Sequence, residues 1–144
     1  MNTQPITLGE LTDLLEQRPQ DQDVRFDFCG MVPTGVDSYR GYYDHLAIGF
    51  AEVSDTKMLT VADLVSVLRA ANRSTFEGYK GGTYRMTRDT PMWVANYGDS
   101  GSTAVVGIAE ECEYTTIIRT AYCEDWDGNT ARALRMLREQ GIIT

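Results

Sequence analysis

The sequence predicts an α+β fold: two approximate helix-then-strands repeats that share a largely antiparallel sheet, followed by a C-terminal helix. Similar helix starts occur at Thr7 and Thr60, and segments of alternating apolar residues follow. The 144 residues suit one domain with a single core. We therefore expect a single α+β domain over residues 1–144, with repeats at 6–50 and 59–122 and a terminal helix at about 129–140.

Both repeats are predicted to begin with a capping box. Thr7 is followed three residues later by Glu10, and Thr60 by Asp63. An apolar stripe with helical spacing follows each cap. The two stripes consist of Leu8, Leu11, Leu14 and Leu15, and of Val61, Leu64, Val65 and Leu68.

Extended segments follow the helices. Val24, Phe26 and Phe28 alternate with charged residues, which indicates a half-buried strand. A loop containing Gly30, Pro33 and Gly35 comes next. Further strands are predicted at 42–50, 91–97, 103–109 and 113–122.

Composition and charge exclude several kinds of partner. Thirteen basic side chains against twenty-one acidic ones give a formal net charge of −8, so the field of the protein repels a long nucleic acid. No apolar run approaches the roughly 18–20 residues that span a bilayer. The N-terminal residues also lack the pattern of a secretory signal. We therefore expect a cytoplasmic protein without a membrane partner.

Cysteine and histidine usage predicts neither a disulfide framework nor a metal site. The three cysteines, Cys29, Cys112 and Cys123, are odd in number and form no Cys-x-x-Cys motif. His45 is the one histidine of the sequence, and we interpret it as an ordinary sheet residue. No metal and no cofactor are predicted.

Motifs that resemble catalytic sites have simpler explanations. The segment 98–101 (Gly-Asp-Ser-Gly) resembles the nucleophile segment of trypsin-like serine proteases, with His45 upstream and Asp63 or Asp89 between them. The chain is too short for the paired barrels of that family, and a polar turn explains the four residues. Phosphate-loop and dinucleotide-binding motifs do not occur. The sequence therefore favours a non-enzymatic protein and assigns no catalytic residue.

Two short segments share a pattern that suits an anionic ligand. Segments 38–43 and 77–85 each join a cation, a glycine and two or more tyrosines. Residues 73–90 carry a net charge of +2 between two flanks, 1–72 and 91–127, that each carry −6. Glycine N–H groups can approach an anion, a cation neutralises it, and tyrosines stack on a base. The predicted ligand-binding residues are Tyr39, Arg40, Tyr42, Tyr79, Lys80, Gly81, Gly82, Tyr84 and Arg85. The same residues also suit a plain sheet surface or a contact with a partner protein.

Four motifs resemble those of uncharacterised small accessory proteins of tailed phages and prophages. They are Thr-Leu-Gly-Glu-Leu at 7–11, Arg-Phe-Asp-Phe at 25–28, Tyr-Arg-Gly-Tyr-Tyr at 39–43 and Gly-Tyr-Lys-Gly-Gly at 78–82. The resemblance implies a protein that acts in the host cytosol by binding a host protein or by sequestering a signalling nucleotide. It implies no activity for any single residue.

The sequence thus predicts a non-enzymatic phage-type binding protein, a homo-oligomer, that acts in counter-defence by sequestering a small anionic, nucleotide-like ligand. One alternative is an acidic inhibitor that docks on a host protein as a nucleic-acid mimic. Its candidate residues are Glu110, Glu111, Glu113, Glu124, Asp125 and Asp127. A second alternative is a small hydrolase that depends on His45.

Overall fold

A nearly closed six-stranded sheet dominates the part of the chain that the structure describes. That part comprises residues 4–28, 30–40, 43–78, 81–97, 102–109 and 114–123 of a computed structural model. The elements in chain order are α1 (Leu8–Glu16), β1 (Asp23–Phe26), β2 (Met31–Ser38), β3 (Leu46–Glu52), α2 (Val61–Ala71), β4 (Thr75–Glu77), β5 (Thr83–Arg85), β6 (Met92–Val94), β7 (Thr103–Ile108) and β8 (Thr115–Tyr122).

The strand order of the large sheet is β1-β8-β7-β6-β3-β2. β1 pairs with β8, and β3 with β6, in parallel, whereas the other three pairs are antiparallel. β4 and β5 form a separate antiparallel hairpin. An aromatic cluster joins β1, at one end of the sheet, to β3, which lies next to the strand at the other end. It contains Phe26 of β1, Phe28 and Phe50 of β3, with ring centroids 5.1 to 6.3 Å apart. The sheet therefore curls into a barrel-like shape.

The prediction of an α+β class is wrong. Strands take up 42% of the described residues and helices 19%, and the sheet is nearly closed rather than divided between two repeats. β1, from the first predicted repeat, pairs with β8 at the far end of the second, so the strands of the two segments interleave. The predicted terminal helix at 129–140 lies outside the described residues.

One strand was predicted as a loop. Residues 31–38 contain Pro33 and Gly35, which predict a loop, yet they form β2. Proline is accepted on an edge strand, and the register of β2 against β3 shifts between Pro33 and Gly35 as in a β-bulge. The edge position of β2 explains why loop-like residues occur in a strand.

Both predicted capping boxes are confirmed. The Thr7 hydroxyl accepts the Glu10 N–H at 3.2 Å, and the Glu10 carboxylate accepts the Thr7 N–H at 3.0 Å. Thr60 and Asp63 form the same pair of bonds at 3.1 and 3.0 Å. The boxes fix where α1 and α2 begin, and hence which helix faces meet the sheet.

The sheet buries apolar side chains on both faces. Both helices cover the inner face, where their stripes pack on Leu46, Ile48 and Val105; Leu14, which we included in the stripe of α1, is partly exposed. A second cluster occupies the other face. It contains Tyr39, Ala47, Trp93, Ala104 and Cys123.

Candidate functional site

A groove of about 480 Å³ lies along β2, on the side of the sheet away from the helices. Five consecutive residues of the strand, 34–38, line it together with Ala47 and Gly49 of β3 and residues 95–97 after β6. Arg40 and Glu77 complete the lining, the latter from the β4–β5 hairpin. We call this feature the β2 groove.

A glycine makes room for the groove in the middle of β3. A Cβ atom at Gly49 would lie 2.7 Å from the Thr34 hydroxyl oxygen and 3.1 Å from the Tyr97 hydroxyl oxygen. Thr34 and Tyr97 can approach each other across β3 because position 49 has no side chain. The Tyr97 ring also lies 4.9 Å from the Phe50 ring, while 63% of the residue remains exposed.

Three charged side chains line the β2 groove: Arg40, Asp37 and Glu77. Hydrogen bonds hold the backbone that carries two of them. The Asn96 side-chain amide donates to the Arg40 carbonyl at 3.0 Å, and the Asp37 carboxylate accepts the Ser38 N–H at 2.8 Å. The groove therefore presents one cation and two carboxylates, and hydrogen bonds hold Arg40 and Asp37 in place.

Tyr39, a predicted ligand residue, lies inside the protein. It is buried, its ring stacks on Trp93 with centroids 5.0 Å apart, and its hydroxyl accepts the Ser102 N–H at 2.9 Å. Ala47 packs in the same cluster and also lines the β2 groove. Tyr39 thus packs in the cluster that contains Ala47, a lining residue of the groove, whereas its neighbour Arg40 lines the groove itself.

Four further predicted residues lie in the β4–β5 hairpin. Gly81 and Gly82 have positive φ values of 95° and 84° in its turn, and the Gly81 N–H donates to the Gly78 carbonyl at 2.9 Å. The Tyr84 ring lies 6.0 Å from the Tyr43 ring and packs against the inner core. Arg85 is exposed and pairs with Thr75. The hairpin reaches the β2 groove through Glu77.

Tyr42, Tyr79 and Lys80 lie outside the described residues, as do segment 98–101 and the acidic residues of the inhibitor alternative. Among the other predicted ligand residues, Arg40 is the one that lines the β2 groove. Sequence reasoning did not assign Asp37, Glu77, Asn96 or Tyr97 to a site. Six of the eight tyrosines of the chain lie between positions 39 and 97, and Tyr97 is one of them. No local pattern indicates that Tyr97 lies near β2.

His45 is buried beside Trp93 of the second cluster and does not line the groove. It is 2% exposed, and its Nδ1 accepts the indole N–H of Trp93 at 2.9 Å. Cys123 in the same cluster is buried, and this burial raises the pKa of its thiol. Both groups therefore act as packed core residues in this arrangement.

Two kinds of feature are absent from the described residues. They contain no group of three or more histidine, cysteine or acidic residues placed to hold a metal ion. Neither helix among them has the length and apolar character needed to cross a membrane.

Comparisons of the chain with protein-family models, curated proteins and solved structures found no match. The resemblance to phage accessory proteins therefore stays a prediction.

Proposed function

We propose that the protein is a non-enzymatic binding protein that holds a small anionic, nucleotide-like ligand in the β2 groove. The observation that carries the proposal is the pairing of Arg40 with the exposed Tyr97 ring in one groove of about 480 Å³. Small-molecule sites commonly have volumes of roughly 300–1,000 Å³. The groove is therefore large enough for a nucleoside monophosphate.

Each charged group of the groove has a counterpart in such a ligand. The Arg40 guanidinium suits a phosphate because its planar fork can donate two parallel hydrogen bonds. The Asp37 and Glu77 carboxylates suit the ribose hydroxyls, which donate hydrogen bonds. The Tyr97 ring offers a face on which a base can stack. Additional phosphates would add negative charge near the carboxylates, so a monophosphate fits better than a triphosphate.

Binding without turnover is the activity that we propose for this site. His45, the residue on which a hydrolase would depend, is buried and bonded to Trp93 instead of lining the groove. Capture of a nucleotide signal would serve counter-defence, which is the context that the resemblance to phage proteins implies. The homo-oligomeric state and the host cytosol remain part of the same proposal.

Titration calorimetry tests the proposal with AMP, GMP, CMP, UMP, a cyclic nucleotide and ATP. We expect at least one monophosphate to bind with a Kd below about 10 μM, the weak limit of specific recognition, and ATP to bind less tightly. Arg40→Ala should weaken that binding about 10- to 100-fold, because it removes charge-assisted hydrogen bonds worth roughly 1.5–3 kcal/mol.

Arg119→Ala is the matched control. Arg119 is an exposed arginine on β8, and β7 separates β8 from β6. This variant should bind as the unaltered protein does. The proposal fails if no nucleotide binds below about 10 μM, or if the two arginine variants lose the same affinity.

A further inference from the structure

The edge of β2 inside the groove presents backbone groups that suit a nucleobase. Resting on the proposed function, we propose that the N–H and C=O of Val36 bind the base of the ligand by hydrogen bonds. The ligand is then a nucleotide recognised through its base, not merely a sugar phosphate.

The first support is the position of β2 in the sheet. β2 is the last strand in the order β1-β8-β7-β6-β3-β2, and it pairs with β3 and with no other strand in the described ranges. Successive side chains of a strand point to opposite faces. Since all five residues 34–38 line the groove, the groove includes the backbone of β2 as well as side chains of one face. Glu77 of the β4–β5 hairpin also lines it, whereas Ala47 and Gly49 extend it over the face of the sheet.

Hydrogen bonds of β3 determine which residues of β2 face that edge. The Leu46 N–H donates to the Pro91 carbonyl at 3.1 Å, and the Ile48 carbonyl accepts the Ala95 N–H at 2.9 Å. These backbone groups of Leu46 and Ile48 thus point towards β6. In an antiparallel pair the direction alternates, so Ala47 and Gly49 bond to β2.

The register of β2 against β3 shows which residues of β2 have backbone groups that point towards β3 and which have groups that point away. Ala47 and Gly49 stand opposite Asp37 and Gly35, and Val36 between them stands opposite Ile48. The N–H and C=O of Val36 therefore point away from β3, towards the groove. Within the described part of the chain, neither group has a hydrogen-bond partner.

Neighbouring groups make Val36 the contact point. The Ser38 N–H, which points the same way, already donates to the Asp37 carboxylate at 2.8 Å. The Val36 side chain packs against the inner core. The groups of Val36 that can contact a ligand are therefore its backbone N–H and C=O. The N–H donor and the C=O acceptor of one residue, which point the same way from an extended strand, match a nucleobase edge on which an acceptor lies beside a donor.

Val36→Pro tests the proposal because it removes the outward N–H without removing a bond to β3. Proline is accepted on an edge strand when its nitrogen faces away from the pairing. Val36→Ala is the reference, since it shortens the side chain and keeps the N–H. We expect AMP to bind Val36→Pro about five- to tenfold more weakly than Val36→Ala, the loss of one hydrogen bond.

Ribose 5-phosphate separates this proposal from the proposed function. It should bind the unaltered protein at least about tenfold more weakly than AMP, and Val36→Pro and Val36→Ala should bind it equally. Equal binding of AMP by the two variants, or of AMP and ribose 5-phosphate by the unaltered protein, overturns recognition of the base and leaves the groove as a phosphate site. If the unaltered protein binds neither these two compounds nor any other nucleotide of the titration panel, the proposed function itself fails.

An NMR measurement covers the case in which Val36→Pro does not fold. In the unaltered, ¹⁵N-labelled protein, AMP should shift the Val36 amide resonance and slow the hydrogen exchange of that amide. Ribose 5-phosphate should do neither. An unchanged Val36 amide in the presence of saturating AMP overturns the proposal.

Discussion

Arg40 and Tyr39 are adjacent in the chain but have opposite environments. The Tyr39 ring is buried against Trp93, whereas Arg40 is exposed and lines the β2 groove. Neighbouring residues of an extended chain point to opposite sides, so a Tyr-Arg pair places one side chain in the core and one outside. The tyrosine of this pattern thus positions the arginine and does not face a ligand.

Gly49 is a residue at which even a methyl group would change the shape of the groove. We predict that Gly49→Ala weakens nucleotide binding and lowers the free energy of unfolding by about 1–3 kcal/mol, the usual cost of overpacking. The cause is the approach of the new Cβ atom to the Thr34 and Tyr97 hydroxyls. Urea denaturation and calorimetric titration measure the two effects.

Thr34→Ala provides the control for that substitution. It removes the oxygen atom nearest to the new Cβ atom, at 2.7 Å. The double variant should therefore be destabilised by less than the sum of the two single variants. Strictly additive losses would contradict the steric explanation.

The helices illustrate what local sequence can specify. A capping box involves four consecutive residues, so Thr7 with Glu10 and Thr60 with Asp63 were recognisable without the fold. β2 was not recognisable in this way, because a proline and a glycine in a short segment usually indicate a loop. They indicate a strand only when the segment is known to lie at the edge of a sheet. The parallel pairing of β1 with β8 joins segments about ninety residues apart, and no local pattern specifies it.

The candidate site likewise contains residues that a local pattern indicates and residues that only the tertiary structure brings together. Arg40 was found because a cation, a glycine and tyrosines occur together in segment 38–43. Glu77 and Tyr97 come to the groove from a hairpin and from the end of β6. Their proximity to β2 depends on the closure of the sheet, which is a property of the tertiary structure.

The capping box of α2 predicts a specific pH dependence. Its hydrogen bonds with Thr60, the one from the backbone N–H above all, hold the pKa of Asp63 below its ordinary value. A lowered pKa in the folded state contributes stability at neutral pH that is lost as the pH falls through that pKa. The stability difference between the unaltered protein and Asp63→Asn should therefore be largest near neutrality and shrink below about pH 4.

Chemical denaturation across this pH range measures the difference. Thr60→Ala should cost about 1 kcal/mol near neutral pH because it removes the cap. Ser66→Ala, an exposed position on the same helix, should change the stability by less than about 0.5 kcal/mol. A difference between the unaltered protein and Asp63→Asn that stays constant or grows on acidification would contradict this account of the box.

At the scale of the whole molecule, the groove lies where the sheet ends. β2 has an edge because the sheet does not close completely, and the β4–β5 hairpin stands beside that edge. The formal net charge of −8 disfavours a long polyanion, whereas Arg40 provides one local cation for a compact anion. Because Asp37 and Glu77 also line the groove, the phosphate of the proposed ligand has to lie at Arg40 and away from these two carboxylates.

The most direct test of the central claim is to map nucleotide binding residue by residue by NMR. On addition of the monophosphate that binds most tightly, we expect the amide resonances of 34–38, Arg40 and 95–97 to shift together and to saturate at one Kd. The amide resonances of α1 and α2, which lie on the other face of the sheet, should not shift. Saturable shifts confined to the helices or to β8, or the absence of any saturable shift, would contradict the claim that the β2 groove is the ligand site.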